Sequence, residues 1–446
     1  ARIMAPYFGA SIYVWTAIIG VILTALSLGY WYGGVLADKK AKKLLIADIF
    51  VLASITLLVS RLVQDSVLAF VIDNVDGLRL QAFVAAMLIF FPLNVLLGMV
   101  SPFIAEISLK DTSKAGRTVG SLFAAGTLGS IFGVFITGYF LLGVFGNSSI
   151  LICLVMVLAS CAIILREKPR HFVLAIALIG VVGLIIASGG LKNSYKSSYG
   201  TVVYDGDSAY SRVIVEDIQY DSTALRGLIT NEPNVYQSYT YINSSEPVFA
   251  YARAFQAISQ KLKDTSKSLL IGGGAYTVAR DFASDHPSSK LDIVELDPKL
   301  IEIAKKYFFL DNTSNLHNIA QDGRTFLNTN DQKYNLIMMD AYSGSVPPFQ
   351  LCSIEAVTKM RESLDAKGLL IGNIFSYAKG DDSAYFWSQY KTYASAFEYV
   401  AAVRADSSVD EAVKQNYILL ASNNKEIFES ALATTGTKPV AVPDLG

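Results

Sequence analysis

Ser268-Leu-Leu-Ile-Gly-Gly-Gly274, followed by Ile293-Val-Glu-Leu-Asp297, decides the fold class of the C-terminal half of this chain. Each is an apolar run too short for a helix. The first ends in three glycines and the second in acidic residues. Such continuous apolar runs fit strands buried on both faces of a sheet. From Ser268 onward, strand and helix patterns take turns. Strands are predicted over Ser268 to Ile271, Leu291 to Glu295, Tyr334 to Met339, Gly368 to Ile374, Tyr399 to Arg404 and Tyr417 to Ala421. Helices are predicted over Tyr276 to Ser284, Pro298 to Tyr307, Ser353 to Leu364 and Ala384 to Phe397. That order predicts a Rossmann-like, doubly wound parallel sheet.

Just upstream, residues 191 to 245 alternate and are rich in β-branched and aromatic side chains, as in Arg212-Val-Ile-Val-Glu216 and Gly227-Leu-Ile-Thr230. Turn chemistry falls at Asp205-Gly206 and at Asn231 to Pro233. A small antiparallel sheet is expected there. A helix is expected from Pro247 to Leu262, with the Glu246 carboxylate favouring its N-terminus.

The other half is of a different kind. A positive mean hydropathy, with only 17% charged residues, is unusual for a wholly water-facing chain. Six stretches reach the roughly 20 apolar residues that span hydrocarbon: about 11 to 36, 44 to 64, 80 to 105, 118 to 145, 147 to 165 and 171 to 190. Residues 1 to 10 read as the outer end of an earlier helix, so a seventh span is expected upstream. The expected organisation is a multi-pass helical domain over 1–190, a small sheet over 191–245 and a nucleoside-binding domain over 246–446.

Basic loops after the first, third and fifth spans (Lys39 to Lys43, Lys110 to Arg117, Arg166 to Arg170) suit the cytoplasmic face. Asp65, Asp73 and Asp76 between the second and third spans suit the outer face. Alternation then places the C-terminal domain outside. Gly120, Ala124, Ala125, Gly126, Gly129, Ser130, Gly133 and Gly138 in the fourth span are expected to let helices pack closely. Ionisable groups that would line a transport path are nearly absent from the expected spans, Asp48 near a boundary excepted.

Several chemistries lack their parts. Cys153, Cys161 and Cys352 build neither a disulfide framework nor a thiolate metal site, and no two of His171, His286 and His317 have ligand spacing, so no metal is expected. There is no P-loop lysine and no serine elbow. No basic patch calls for nucleic acid.

What remains points to a nucleoside. Gly272, Gly273 and Gly274 end the first predicted strand, where missing side chains let a ligand approach the backbone. Glu295 follows Gly274 by twenty-one residues, at the end of the second strand. A carboxylate there can accept the hydroxyls of a ribose. The alternatives are an empty structural turn at the glycines, a plain Asp-Gly turn at Asp322 and a cap at Asp340.

The chain resembles the spermidine synthase family of aminopropyltransferases, and more closely its membrane-fused branch. In the apolar half the resemblance rests on Ala5-Pro-Tyr-Phe-Gly9, Leu28-Gly-Tyr-Trp31, Gly98-Met-Val-Ser-Pro102 and Gly116-Arg-Thr-Val-Gly120. In the other half it rests on Ser208-Ala-Tyr-Ser-Arg212, Ile271-Gly-Gly-Gly274, Val294-Glu-Leu-Asp297, Asp322-Gly-Arg324 and Met339-Asp-Ala-Tyr342.

The resemblance implies that Gly272 to Gly274 lie beneath a thioether nucleoside, that Glu295 holds its ribose and that Asp322 with Gly323 lies at the adenine edge. It makes Asp340 the catalytic base for an amine and sets Gln237 and Tyr251 near that amine. The implied cosubstrate is decarboxylated S-adenosylmethionine or S-adenosylmethionine. Two positions depart from the pattern: Ala275 and Ser343 stand where the family carries aspartates.

Three readings follow. The first is a membrane-anchored transferase moving an aminopropyl or related group, methyl transfer being its neighbour on the same fold. The second is a degenerate pseudoenzyme acting as an extracytoplasmic binding or assembly module. The third is a transporter with an attached regulatory domain. Membrane lipid, an amine substrate and an oligomeric or membrane-complex partner are the expected contacts. An outer location conflicts with a cosubstrate made in the cytoplasm. It would make acceptors of the sequons at Asn147, Asn243 and Asn312.

Overall fold

The computed structural model describes residues 3–8, 12–40, 43–109, 115–142, 147–165, 180, 197, 199–221, 223–230, 235–310, 314–342 and 347–442. The chain divides into two compact units, Ala1–Tyr195 with Asp205–Arg212, and Lys196–Tyr204 with Val213–Gly446.

The first unit is helical: α1 (Ala5–Phe8), α2 (Ile12–Lys40), α3 (Lys43–Asn74), α4 (Leu78–Ser108), α5 (Ala115–Ile136, running on into a π-helical turn, Thr137–Leu141) and α6 (Asn147–Ile164). Four of its helices are long and apolar enough to cross a membrane: Tyr13–Lys39, Lys43–Asn74, Leu78–Ser108 and Ala115–Leu141; Ser149–Ile164 is a shorter apolar helix. The four long helices match the first four expected spans, and the fifth expected span, 147–165, is met by the shorter helix. The sixth, 171–190, lies outside the described residues except for Gly180, as do the loop charges Lys110, Lys114, Arg166, Lys168 and Arg170.

Two expectations for this unit are corrected. Asp65 and Asp73 do not lie in a connection. They ride within α3, which meets no breaker until Gly77, whose φ is +82°. Arg61 and Gln64 are buried on that helix, and Asp65 accepts from the Tyr7 hydroxyl at 3.0 Å, so polar groups do enter the bundle. Close helix approach, in turn, belongs to α2 and α4. A Cβ on Gly29 would stand 2.3 Å from the Val95 carbonyl oxygen, and one on Gly98 would stand 2.8 Å from that of Leu26. Among the described residues nothing comes within 4 Å of a Cβ built on Gly120, Gly126, Gly129, Gly133 or Gly138.

A four-stranded sheet follows, β1 (Gly200–Asp207), β2 (Arg212–Tyr220), β3 (Thr223–Thr230) and β4 (Tyr236–Tyr241), paired in that order, all but Asp205–Asp207 and Arg212 belonging to the second unit. The helix α7 (Ala250–Lys261) follows. It begins later than expected, after Phe249, which gives it no side-chain cap. Glu246 therefore lies upstream of the first turn, which holds no acidic residue, and does not act on the helix N-terminus as expected.

A seven-stranded sheet comes next, in the order β10-β11-β9-β8-β5-β6-β7. Its members are β5 (Lys267–Ile271), β6 (Lys290–Glu295), β7 (Leu316–Ala320), β8 (Tyr334–Met339), β9 (Leu364–Ser376), β10 (Tyr399–Arg404) and β11 (Gln415–Ser422). Pairing is parallel from β9 through β8, β5 and β6 to β7. The sheet is not parallel throughout, because β11 runs antiparallel to both β9 and β10. The physical reason is the β10–β11 connection, too short for the crossover of about a dozen residues that a parallel return needs.

Helices α8 (Thr277–Asp285), α9 (Pro298–Tyr307), α10 (Gly323–Thr329), α11 (Ile354–Glu362), α12 (Ala384–Ala396) and α13 (Lys425–Thr434) complete the unit. Capping explains where α9 begins: Asp297 accepts from the Lys299 N–H at 3.0 Å and Pro298 occupies the first turn. Leu269, Leu270, Leu336, Ile337, Leu370 and Ile371 form the buried centre of the sheet. The chain leaves β5 toward β6 and β7 on one side and returns to β8 on the other. The crevice at the carboxyl ends of β5 and β8 is therefore the switch point at which such sheets take ligands.

Candidate functional site

Four strand ends meet at this edge: Gly272 after β5, Glu295 closing β6, Asp322 beyond β7 and Asp340 after β8. The β5 and β8 ends are tied together, since the Asp340 N–H donates to the Ile271 carbonyl at 2.9 Å. Gly272 has φ +97°, and a Cβ on it would lie 2.3 Å from the Asp340 carbonyl oxygen. Only glycine fits there. Gly274 is also left-handed, with φ +53°, and faces the Ser238 hydroxyl.

The loop's N–H groups converge on one carboxylate. Glu295 Oε2 accepts from Gly273 N at 2.8 Å and Gly274 N at 3.1 Å, and Oε1 accepts from Asp297 N at 2.9 Å. Burial pushes the Glu295 carboxyl above the ordinary glutamate range, while these three donors pull it back. With three of roughly four acceptor sites in use, Oε1 has room for one further donor, such as a ligand hydroxyl, without disturbing the loop. A second hydroxyl competes with the Gly274 bond, the longest of the three. Because the loop donors point at a carboxylate, the crevice favours neutral hydroxyls over phosphate.

Asp322 is the N-cap of α10, accepting from Thr325 N at 2.9 Å and Thr325 Oγ1 at 3.2 Å through Oδ1. Gly323 lets that helix press on β5, for its Cβ would come within 2.9 Å of the Ile271 side chain.

Asp340 is partly buried, and its Oδ1 accepts from Asn373 Nδ2 at 2.9 Å. Burial raises its carboxyl to about 6, against the pull of hydrogen bonds from Asn373 and Tyr251. Tyr251, buried on α7, is held well above the usual phenol range, first by burial and then by Asp340, so it stays a donor. Asn373 is itself fixed by Asn416 Nδ2, 2.8 Å from its Oδ1. Tyr342 pins the end of β9, donating to the Asn373 carbonyl at 2.8 Å and accepting from Phe375 N at 2.9 Å. Burial pushes the Tyr342 phenol up.

The structure thus brings Gly272, Gly273, Gly274, Glu295, Asp340 and Tyr251 to one crevice, with Asp322 and Gly323 at the neighbouring strand end. Gln237 lies on β4, where alternation turns Ser238 toward the glycine loop instead; Ser238 Oγ accepts from Ala275 N at 3.2 Å. Gln237 is the extra residue of a bulge in β4, and the neighbouring Tyr239 ring stands 5.3 Å from Phe249, itself 5.5 Å from Tyr251.

Ser238, Asn373, Asn416 and Tyr342 are site residues that sequence reading missed. Asn373 had a signal: it is a polar residue inside the apolar run that forms β9. The departure at Ala275 also has a structural account. Ala275 is 1% exposed and packs with Val213, Val215, Leu228, Leu300, Ile303 and Phe308, where a carboxylate would be unpaired. Ser343 lies outside the described residues.

Residues 249–378 match the spermine/spermidine synthase domain family. A probable polyamine aminopropyl transferase of Bifidobacterium longum is 32% identical over 183 residues, covering 41% of this chain and 39% of its own length. A polyamine aminopropyltransferase of Vibrio vulnificus is 26% identical over 194 residues, covering 42% of this chain and 64% of its own. The chain therefore spans less than two thirds of either relative. A crystal structure of a probable spermidine synthase from Corynebacterium glutamicum aligns with a TM-score of 0.44 and 22% identity, over 51% of this chain and 81% of that one.

Proposed function

The chain belongs to the spermidine synthase family through residues 249–378, and from that premise we propose that it transfers an aminopropyl or related group from an S-adenosylmethionine-type nucleoside to an amine, at a site carried by a membrane-anchored protein. The observation that carries this reading is Asp340. Its backbone carbonyl lies against Gly272 at the switch point, and its carboxylate is oriented by Asn373 and Tyr251 and titrates near 6.

The chemistry follows from that placement. A primary amine attacks the carbon beside the sulfonium sulfur. The N–C bond forms as the C–S bond breaks, and the electron pair stays on sulfur, which leaves as a neutral thioether. The proton lost from nitrogen goes to Asp340. A base that titrates near 6 is ionised at neutral pH and only moderately stronger than water-exposed aspartate, so it accepts that proton without holding it permanently. Gly272 to Gly274 and Glu295 supply the nucleoside cradle, with Asp322 and Gly323 at its far end. Tyr251 and Gln237 border the amine side.

Ala275 favours a second reading, nucleoside binding without aminopropyl transfer. Its methyl, packed among apolar side chains, supplies no carboxylate for an aminopropyl ammonium. Turnover assays with decarboxylated and intact S-adenosylmethionine separate the two: transfer from either donor, abolished by Asp340→Asn, supports the transferase. Nucleoside binding with no transfer from either supports the binding module.

Localisation belongs to the same proposal. The four long apolar helices anchor the chain in lipid, and loop charge sets the α/β unit outside. Protease accessibility of a tag after Gly446, in intact and permeabilised cells, tests the side. Cleavage in intact cells supports the outer location, and protection until permeabilisation overturns it and puts the unit beside its cosubstrate.

A further inference from the structure

Tyr276 is held in a way that packing does not account for. It stands at the start of α8 with a left-handed backbone, φ +61°, which bulky side chains rarely adopt. Its ring is fully buried, yet among the described residues its hydroxyl has no hydrogen-bond partner. Phenylalanine would fill the same space without leaving a polar group unpaired. Strained residues of this kind gather at ligand clamps, where the surroundings hold them in place.

The residue lies beneath the glycine loop of the nucleoside crevice. The Tyr276 N–H donates to the Gly273 carbonyl at 2.7 Å and closes the turn. A Cβ on Gly273 would lie 2.7 and 2.8 Å from two carbons of the Tyr276 ring and 3.1 Å from its hydroxyl oxygen, so Gly273 rests on the tip of the phenol. The ring shares its core cluster with Tyr251, Phe255, Leu270 and Phe282, which fixes it there. Burial, with Glu295 and Asp297 close by, holds the phenol well above its usual range, so it keeps its proton.

Glu295 already accepts from Gly273, Gly274 and Asp297, three of about four acceptor sites on a carboxylate. A vicinal diol brings two hydroxyls, so one N–H must leave, and the Gly274 bond, at 3.1 Å, is the longest. The released N–H then needs an acceptor. We propose that Tyr276 supplies it: as the diol of a nucleoside settles on Glu295, the Gly274 N–H passes to the Tyr276 hydroxyl oxygen, which stands against the adjoining Gly273. Every donor in the cradle is then paired. No ligand atom has to reach the phenol, which acts through the loop backbone as a positioning residue. The inference rests on the nucleoside reading of this crevice.

The experiment is calorimetric titration of 5′-methylthioadenosine, and of its 2′-deoxy analogue, into the full chain in lipid nanodiscs, parent against Tyr276→Phe. The diol ligand should bind the variant about tenfold more weakly, by loss of the acceptor. The analogue brings a single hydroxyl, displaces no N–H and should bind parent and variant alike. A merely structural role for Tyr276 would weaken both ligands together. Without ligand the variant should melt no lower than the parent, since the hydroxyl it lacks was unpaired. Equal affinity of parent and variant for the diol ligand, or an equal loss for both ligands, overturns the proposal and leaves the nucleoside reading standing. A parent that binds neither ligand removes that reading, and this inference with it.

Discussion

Both halves of the chain bring backbones together at glycines, yet they present opposite surfaces. In the helical unit Gly29 and Gly98 let α2 and α4 touch, while large apolar side chains face outward: Trp31 is 68% exposed, Phe123 73% and Tyr139 75%. In the α/β unit Gly272 lets β5 and β8 close on each other, and the sheet's apolar residues face inward. Where the surroundings are lipid, apolar side chains cost nothing outside, so close contact is the main device that selects helix partners. Where the surroundings are water, burial fixes every strand face, and a glycine contact is left to shape a site.

The strongest way to break this comparison is Gly272→Ala. The added methyl meets the Asp340 carbonyl and the residue must hold φ +97°, so strain and overlap together cost about 2–6 kcal/mol. Thermal melting of the α/β unit should fall sharply and nucleoside binding should vanish. Gly380→Ala shares the positive φ but meets nothing within 4 Å, and a loss of about 1–3 kcal/mol, from backbone strain alone, is expected; equal losses would show that contact at Gly272 is unimportant.

A smaller effect is expected from Gly98→Val. Its Cβ would crowd the Leu26 carbonyl, at about 1–3 kcal/mol for overpacking. Detergent-resistant melting of the helical unit should drop, with nucleoside binding retained. Gly129→Val, whose position meets nothing, is the paired control and should melt like the parent.

Glu295→Gln sharpens the account of the cradle. An amide keeps one acceptor oxygen but loses the charge shared by Gly273, Gly274 and Asp297, and nucleoside affinity should fall about tenfold or more. An unchanged dissociation constant would free Glu295 of its role.

The smallest expected effect is that of Asn373→Ala. Its bond to Asp340 favours the ionised form, so removing it raises the carboxyl further above about 6. The rising limb of the pH–rate profile should move to higher pH while the rate on the alkaline plateau changes little. A limb that stays in place would mean that Asn373 does not tune the base.

The same contrast in surroundings explains what was legible in the sequence. In the α/β half, Pro298–Tyr307, Tyr334–Met339 and Tyr399–Arg404 fall where expected, because water imposes periodicity and caps mark the ends. β7 escaped because Leu316-His-Asn-Ile-Ala320 is an edge strand only half buried, and α10 because seven residues carry little pattern. The direction of β11 was hidden too, since a strand's own residues do not encode which way its neighbour runs.

In the helical half, length was readable and packing was not. The glycines of α5 looked like contact points, whereas the contacts fall at Gly29, Gly33 and Gly98. Of the site, the glycine loop and Glu295 could be named from strand ends, and Asp340 through the family resemblance. The second rank of Asn373, Asn416 and Ser238 depends on strands distant in sequence being neighbours in space.

The most direct test is the pH–rate profile for transfer from decarboxylated S-adenosylmethionine to a diamine, by the full chain and by Asp340→Asn. The expected result is a rate that rises through about pH 6, and a loss of about 10²–10⁴-fold in the variant with nucleoside binding intact. Parental turnover in Asp340→Asn would contradict the assignment of Asp340 as the base.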